Sequence, residues 1–466
     1  MPAKRRYAQV GCGGRGLMYL DAVTQTYAAT CEMVALCDVN PGRLQRYVDR
    51  ARERGALAVG YPASDFDRMI AEAKPDCVIV TTKDRHHDEY ICRAMELGCD
   101  AITEKPMTID ERRCQRIIDT IAKTGRKLTV TFNYRYAPPA TQVKDLLMSG
   151  AIGEVLSVEF TWLLDTSHGA DYFRRWHRNK ENSGGLMVHK ATHHFDLVNW
   201  WLSDVPETVF AAGHRRFYTP RTAERYGLTN RSERCLDCAE SGRCPFYLDL
   251  AAHRSMRELY LENERFDGYF RDRCVFSEAI DIEDSMELVV CYRGGAKMSY
   301  ALNAFSPYEG YQVAFNGSKG RLERKEVESS YISGDGTTPH QVVENRSYIR
   351  VFPHFAEAYQ VEVWTGEGGH GGGDPVLLDD IFSPEPKPDK YLRAADHRAG
   401  AYSILTGIAA NRSMATGQPV RIADLCRDIG FPDYPPMPSP DAPLPGRRAG
   451  GRQAFSWETP TQAPGG

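Results

Sequence analysis

Near the amino terminus a strand-like run at residues 8–10 feeds Gly11-Cys12-Gly13-Gly14-Arg15-Gly16, then an amphipathic stretch through Ala29 and a second strand-like run at 33–37 that ends at Asp38. Strand, glycine turn, helix and strand in that order define a βαβ unit with a phosphate-binding turn. The glycines have separate tasks: Gly11 makes the tight turn, Gly13 lets the backbone approach a pyrophosphate, and Gly16 lets the helix pack on the strand. Amides opening the helix, those of Gly14 and Arg15 among them, meet the phosphates. Asp38 can accept hydrogen bonds from ribose hydroxyls and repels a ribose phosphate, which favours NAD over NADP, while Arg43 close by points the other way. The plainer alternative is a glycine turn without a ligand.

The α/β rhythm continues with strands at 76–82, 100–103 and 128–132 and helices at 88–97 and 110–124. It changes near Thr141. After a helix through Ser149, alternating segments at 155–163, 207–213 and 286–302 predict strands, the last folding back through Arg293-Gly294-Gly295 as a hairpin. The fold class expected is α/β: an N-terminal Rossmann dinucleotide-binding domain at 1–135, then a C-terminal α+β domain at 136–432 with a large, mainly antiparallel open sheet. A Cys-containing insertion at about 219–280 interrupts the second domain. Residues 433–466 are rich in proline, glycine and small polar residues, and an extended or disordered arm is expected there.

With 58 Lys+Arg against 62 Asp+Glu, a net charge of −4 and no sustained basic block, the chain of 466 residues gives no electrostatic footprint for nucleic acid. No apolar run is long enough to span a bilayer. The basic amino terminus enters a strand without an apolar signal core, so a cytoplasmic protein is expected. In that setting thirteen cysteines point to reduced thiols or a metal site, not disulfides. Cys235, Cys238 and Cys244, with Cys274 or His253 as a fourth ligand, could hold a structural zinc that staples the insertion. An iron–sulfur cluster and unliganded thiols are the alternatives.

Two segments carry candidate chemistry. Glu104-Lys105-Pro106 stands past the strand ending at Thr103, at the carboxyl edge where ligands of open α/β sheets bind. A lysine there can reach a substrate hydroxyl, although a surface lysine before a helix is the commoner occurrence. In Gly184-Gly185-Leu186-Met187-Val188-His189-Lys190-Ala191-Thr192-His193-His194-Phe195-Asp196, a helix would put His189 and His193 on one face and His193 beside Asp196. His193 suits a general base. The same pair could instead bind a catalytic metal with a third ligand from His194, Asp196 or His370, or be structural. Lys190 would ordinarily be solvated. Tyr172, Arg174, Arg175, Trp176 and His177, read as a loop over 168–179, suit stacking on a sugar ring or an interface equally. Five glycines surround His370 and Asp374, a geometry suited to a linker or to close approach of a ligand.

Taken together, these motifs resemble the Gfo/Idh/MocA family of nicotinamide-dependent oxidoreductases over residues 5–425, apart from the insertion. The resemblance rests on Glu104-Lys105-Pro106, on Thr81-Thr82-Lys83-Asp84-Arg85-His86-His87 with Lys83 where proline is usual, on Asn133-Tyr134-Arg135-Tyr136 and on Asn316-Gly317-Ser318-Lys319-Gly320. It implies cofactor contacts from Thr81, Thr82, His87, Glu104 and Lys105. The histidine role falls to His193, and His189 stands where an acidic residue is usual. The segment around His370 resembles one in members acting on glycosides, including NAD-dependent redox glycosidases, which makes His370 a substrate-site candidate beside Tyr172, Trp176, His177, Lys190 and His194. The function implied is a dehydrogenase for a sugar, glycoside or cyclitol, with Lys105, His193 and His189 catalytic and NAD as cofactor. The alternatives are a redox-neutral glycosidase working through a 3-keto intermediate and a non-catalytic NAD or sugar sensor. The partners expected are a small-molecule substrate and further copies of the chain, as a dimer or tetramer, with neither nucleic acid nor membrane.

Overall fold

The computed structural model of the chain describes residues 3–330, 347–385 and 387–444. Six strands form the first sheet: β1 (Arg5–Val10), β2 (Cys31–Asp38), β3 (Val59–Pro62), β4 (Cys77–Val80), β5 (Asp100–Thr103) and β6 (Leu128–Val130). All pair in parallel, in the order β3-β2-β1-β4-β5-β6. A parallel sheet needs helices on both faces, and β4 is accordingly buried along its whole length. The flanking helices are locally specified. Asn40 caps Pro41–Glu53 by accepting from the amides of Gly42 and Arg43, and Asp110 caps Glu111–Thr124 by accepting from Arg113, a contribution of about 1 kcal/mol each. The chain order reverses between β1 and β4, and the crevice this opens lies at their carboxyl ends.

The second sheet has nine strands: β7 (Val155–Asp165), β8 (Pro206–His214), β9 (Ser285–Tyr292), β10 (Lys297–Ser306), β11 (Tyr308–Gly317), β12 (Gly320–Ser330), β13 (Tyr348–Pro353), β14 (Tyr359–Val361) and β15 (Val420–Arg421). Their order is β14-β13-β12-β11-β7-β10-β9-β8-β15, antiparallel throughout except for the parallel pair β7 and β10. Alternate residues of β9 and β10 are buried, so one face is covered and the other is not. Helices Thr192–Leu202 and His397–Thr416 lie within the core. Where the second meets the segment carrying His189, a Cβ on Gly407 would stand 2.2 Å from the Met187 carbonyl oxygen, so only glycine permits this contact.

Three expectations change here. The segment 168–179 is not a loop: it is the helix Thr166–Arg174, capped by Asp165, followed by a single turn at Trp176–Arg178. The carboxyl-terminal arm is extended but docked where described, with Arg135 over the Tyr434 ring and Ser203 donating to the Pro435 carbonyl at 2.6 Å. Residues 445–466 lie outside the described part.

The third is the zinc. Among the described residues, no three His, Cys, Asp or Glu side chains come together to hold a metal, so Cys235, Cys238, Cys244 and Cys274 stand as free cysteines. Burial raises the pKa of Cys235, Cys244 and Cys274. The insertion is held by other means. Arg234 bridges Glu264 and Asp272 at 2.8 Å each, and Phe246 packs edge-on against Phe276 and Tyr218 at 5.4 and 5.8 Å. The insertion then arches back to the first sheet, where the Asn40 amide donates to the Asn263 carbonyl at 2.9 Å and Arg46 pairs with Glu258.

Candidate active site

A cleft of about 480 Å³ runs along the carboxyl edge of the first sheet. At one end lies the glycine turn. Gly11 has φ +95°, and a Cβ there would sit 2.5 Å from the Thr81 carbonyl group, so no other residue fits. Gly16 is packed against Gln9 and Tyr47, while Gly13 and Gly14 open onto the cleft. Asp38, at the tip of β2, accepts from the amides of Cys12 and Asn40 at 2.6 and 2.7 Å. Thr81 donates to the Gly11 carbonyl at 2.6 Å. The groove along Gly13 and Gly14 suits a dinucleotide, with Arg15, Asp38, Thr81 and Thr82 along its length and the Tyr260 hydroxyl over the Gly14 amide.

At the other end the Glu-Lys-Pro turn is braced from several sides. Glu104 accepts from Tyr19 and Arg15 at 2.7 Å each; burial opposes its ionisation, but Arg15 and Tyr19 outweigh that and lower its pKa. His87 is a brace as well as a lining residue, its ring nitrogens 2.8 Å from the Pro106 carbonyl oxygen and 3.2 Å from that of Thr82. Lys105 donates to the His189 carbonyl at 3.2 Å. Burial, helped by Lys190 and Arg15 and opposed by Asp84 and Glu104, brings its pKa down to about 8.

The histidine segment differs from the helix expected. His189 ends the short helix Leu186–His189, and His193 opens Thr192–Leu202 after a break at Lys190-Ala191, so the two do not share one helical face. The metal reading fails among the described residues, because no third ligand joins them. His189 is bound instead to Asp84, with Nδ1 2.5 Å from the carboxylate. His193 lines the cleft beside the Tyr134 ring, 4.7 Å between centroids, and its Nδ1 is buried without a partner among the described residues. Burial, with Lys105 and Lys190, holds the His193 pKa well below the usual histidine value, leaving a neutral imidazole. Asp196 does not orient it: that carboxylate forks with Arg135 at 2.6 and 2.7 Å in the core. His194 is likewise corrected. It is fully buried, stacked on Trp162 at 3.9 Å and bonded to the Tyr300 hydroxyl at 2.6 Å, and it lines neither cavity described here.

Of the other substrate candidates, Tyr172, Trp176, His177, Lys190 and His370 all line the cleft. Trp176 stacks on His177 at 3.6 Å, and Lys190 lies 4.6 Å over Trp162 and 3.8 Å from Glu309. His370 has left-handed backbone, φ 53°, and its Nδ1 is 3.0 Å from Asp374. Asp374 also takes Arg15 and the Asn133 amide. Burial opposes its ionisation, but His370 and Arg15 hold its carboxyl far below the usual range. A second lobe of about 820 Å³ opens past His168, Lys190 and His370, which line both spaces, and reaches the insertion at Tyr247 and Met256.

Asp84 and Asp374 were both visible in quoted motifs, the second four residues after His370, yet only the structure gives them partners. Glu309, Tyr260 and Asp267 carry no sequence signal, since a strand start and an insertion bring them in.

Two family models match the chain: an NAD-binding Rossmann fold of the oxidoreductase family GFO_IDH_MocA over residues 5–132, and its C-terminal alpha/beta domain over 144–422. The chain belongs to this oxidoreductase family. It is 38% identical over 417 residues to the protein YteT of Bacillus subtilis (strain 168), covering 88% of this chain and 95% of that one. It is 25% identical over 296 residues to D-glucoside 3-dehydrogenase of Escherichia coli (strain K12), covering 61% and 80%. The fold is also that of aldose-aldose oxidoreductase from Caulobacter crescentus, with a TM-score of 0.58, 18% identity and coverage of 90% and 99%.

Proposed function

We propose that this protein is an NAD-dependent dehydrogenase that oxidises a secondary hydroxyl of a sugar, glycoside or cyclitol, or reduces the corresponding ketone. The observation that carries the reading is one continuous cleft lined at one end by Gly13, Gly14 and Asp38 and at the other by Lys105 and His193. A bound nicotinamide supplies a hydride acceptor between them. His193, held as a neutral imidazole, takes the hydroxyl proton while the C–H pair leaves the same carbon as hydride and the C=O bond forms. Lys105 donates to the substrate oxygen and stabilises its alkoxide character. Asp84 holds His189, whose carbonyl in turn orients the Lys105 amino group. Trp176 and Tyr172 offer aromatic surface to a sugar ring.

Nicotinamide absorbance, followed while pyranosides, glycosides and inositols are added to the protein with excess NAD, tests this. NADH formation that is lost in Lys105→Met supports the dehydrogenase; function unaffected by Lys105→Met would turn the reading to a sensor. The second lobe favours one alternative, because it leaves room beyond the oxidised ring for a leaving group. In that redox-neutral cycle, oxidation at carbon 3 acidifies carbon 2. Loss of that proton breaks the carbon 1–oxygen bond and expels the aglycone, water adds, and the ketone is reduced again. Aglycone release without NADH accumulation selects it. We also infer self-association through the uncovered face of the second sheet, where the register partners Phe210 and Val289 are both exposed. A monomer mass by light scattering would overturn that.

A further inference from the structure

The sequence leaves a contradiction at the adenosine end of the cleft, where Asp38 disfavours a ribose phosphate and Arg43 invites one. The insertion resolves it. Arg43 lies in the first turn of Pro41–Glu53, buried beside the cleft, and its Nη2 sits 3.4 Å from Asp38 and 2.5 Å from Asp267. Its Nη1 is buried without a partner among the described residues. Asp267 closes the short helix Glu264–Asp267, and its free oxygen accepts from the Tyr269 amide at 3.2 Å. The contacts of Asn263 with Asn40 and of Glu258 with Arg46 anchor this stretch to the first domain. Alongside, the Tyr260 hydroxyl accepts from the Gly14 amide at 2.9 Å, which is the anion seat of the glycine turn, and Lys83 lies 5.4 Å over Tyr269. Tyr260, Asp267 and Tyr269 all line the cleft.

We propose that the insertion completes the nucleotide site and that Asp267 is a specificity-determining residue that selects NAD over NADP. The argument rests on the nicotinamide reading above. A 2′-phosphate carries close to two negative charges, and here it would meet the carboxylates of Asp38 and Asp267. Arg43, which could neutralise it, is already held between them, and Lys83 is a second cation lining the same cleft. Ribose hydroxyls face no such conflict, because they can donate to a carboxylate.

The test is equilibrium binding of NADH and NADPH to the full chain, read by nicotinamide fluorescence and so independent of turnover. Wild type is expected to bind NADH more tightly. Asp267→Asn and Asp267→Ala should shift the ratio of Kd values toward NADPH by about tenfold or more, mainly by tightening NADPH, since a like charge is removed and Arg43 is released. Asp267→Glu should keep the wild-type preference. The gain should vanish in the double variant Asp267→Ala/Arg43→Ala, which separates release of Arg43 from simple loss of charge. A ratio unchanged within about twofold in folded Asp267→Asn, as judged by circular dichroism, overturns the proposal and leaves the nicotinamide reading standing. Failure of the wild type to bind either nucleotide overturns both.

Discussion

Nδ1 of His189 lies 2.5 Å from the carboxylate of Asp84, a contact between the two halves of the chain across 105 residues of sequence. The carboxylate that meets this histidine comes from the segment after β4. Burial pushes Asp84 up and His189 down, so both shifts favour one shared proton over a free ion pair.

Because the Asp84 contact fixes the backbone that aims Lys105, Asp84→Ala should lower kcat about 10- to 100-fold, the equivalent of about 1.4–2.7 kcal/mol. KM for the sugar should change far less. Steady-state kinetics read this directly, and an equal loss confined to KM would assign Asp84 to substrate binding instead.

The pH profile follows from two shifts. His193 acts as the neutral base, and its pKa lies well below 6.5, so alcohol oxidation should hold through neutrality and fall only in distinctly acid solution. Lys105 acts as the protonated donor with a pKa of about 8, so the rate should fall as pH rises through that value. Lys105→Met should lower kcat by about 100-fold or more and flatten the alkaline limb of what remains. A limb that persists in the variant would assign it to another group.

Substrate length should matter, because the second lobe of about 820 Å³ continues the reactive cleft. A glycoside with a second ring is expected to exceed the methyl glycoside of the same sugar in kcat/KM by about tenfold. Met256→Trp, which fills the lobe from the insertion, should raise KM for the longer substrate. Equal kcat/KM for both substrates would mean the lobe is not used.

The pair Arg135 and Asp196 is essentially without solvent exposure and forks through two hydrogen bonds. Asp196→Ala leaves a buried guanidinium unpaired and should reduce stability by about 3–5 kcal/mol. A urea midpoint lowered with unchanged m-value is the expected record.

Much of the fold was legible because it is written in short-range patterns. The run at 100–103 is β5, the helix read at 110–124 is Glu111–Thr124 behind its Asp110 cap, and Arg293-Gly294-Gly295 turns a hairpin, with Gly295 at φ 97°. The spacing of His189 and His193 misled because periodicity cannot register a two-residue break between helices. His194 misled because the same segment is buried on every side, so polarity did not mark its exposed face. The cysteine spacing misled because it does not fix ligand geometry, and no group able to hold a metal forms among the described residues.

The sequence by itself determined most of the parallel sheet, the first strands of the second, the glycine turn with Asp38 and the position of Lys105, since hydrogen-bonded turns, caps and alternation act between near neighbours. Tertiary structure decided the rest. It set Asp84 against His189, gave Arg15 to both Glu104 and Asp374, and closed Asp267 on Arg43 across 224 residues. Those contacts depend on how separate elements dock, and docking is fixed by the buried surface of the whole chain, not by any local run of residues.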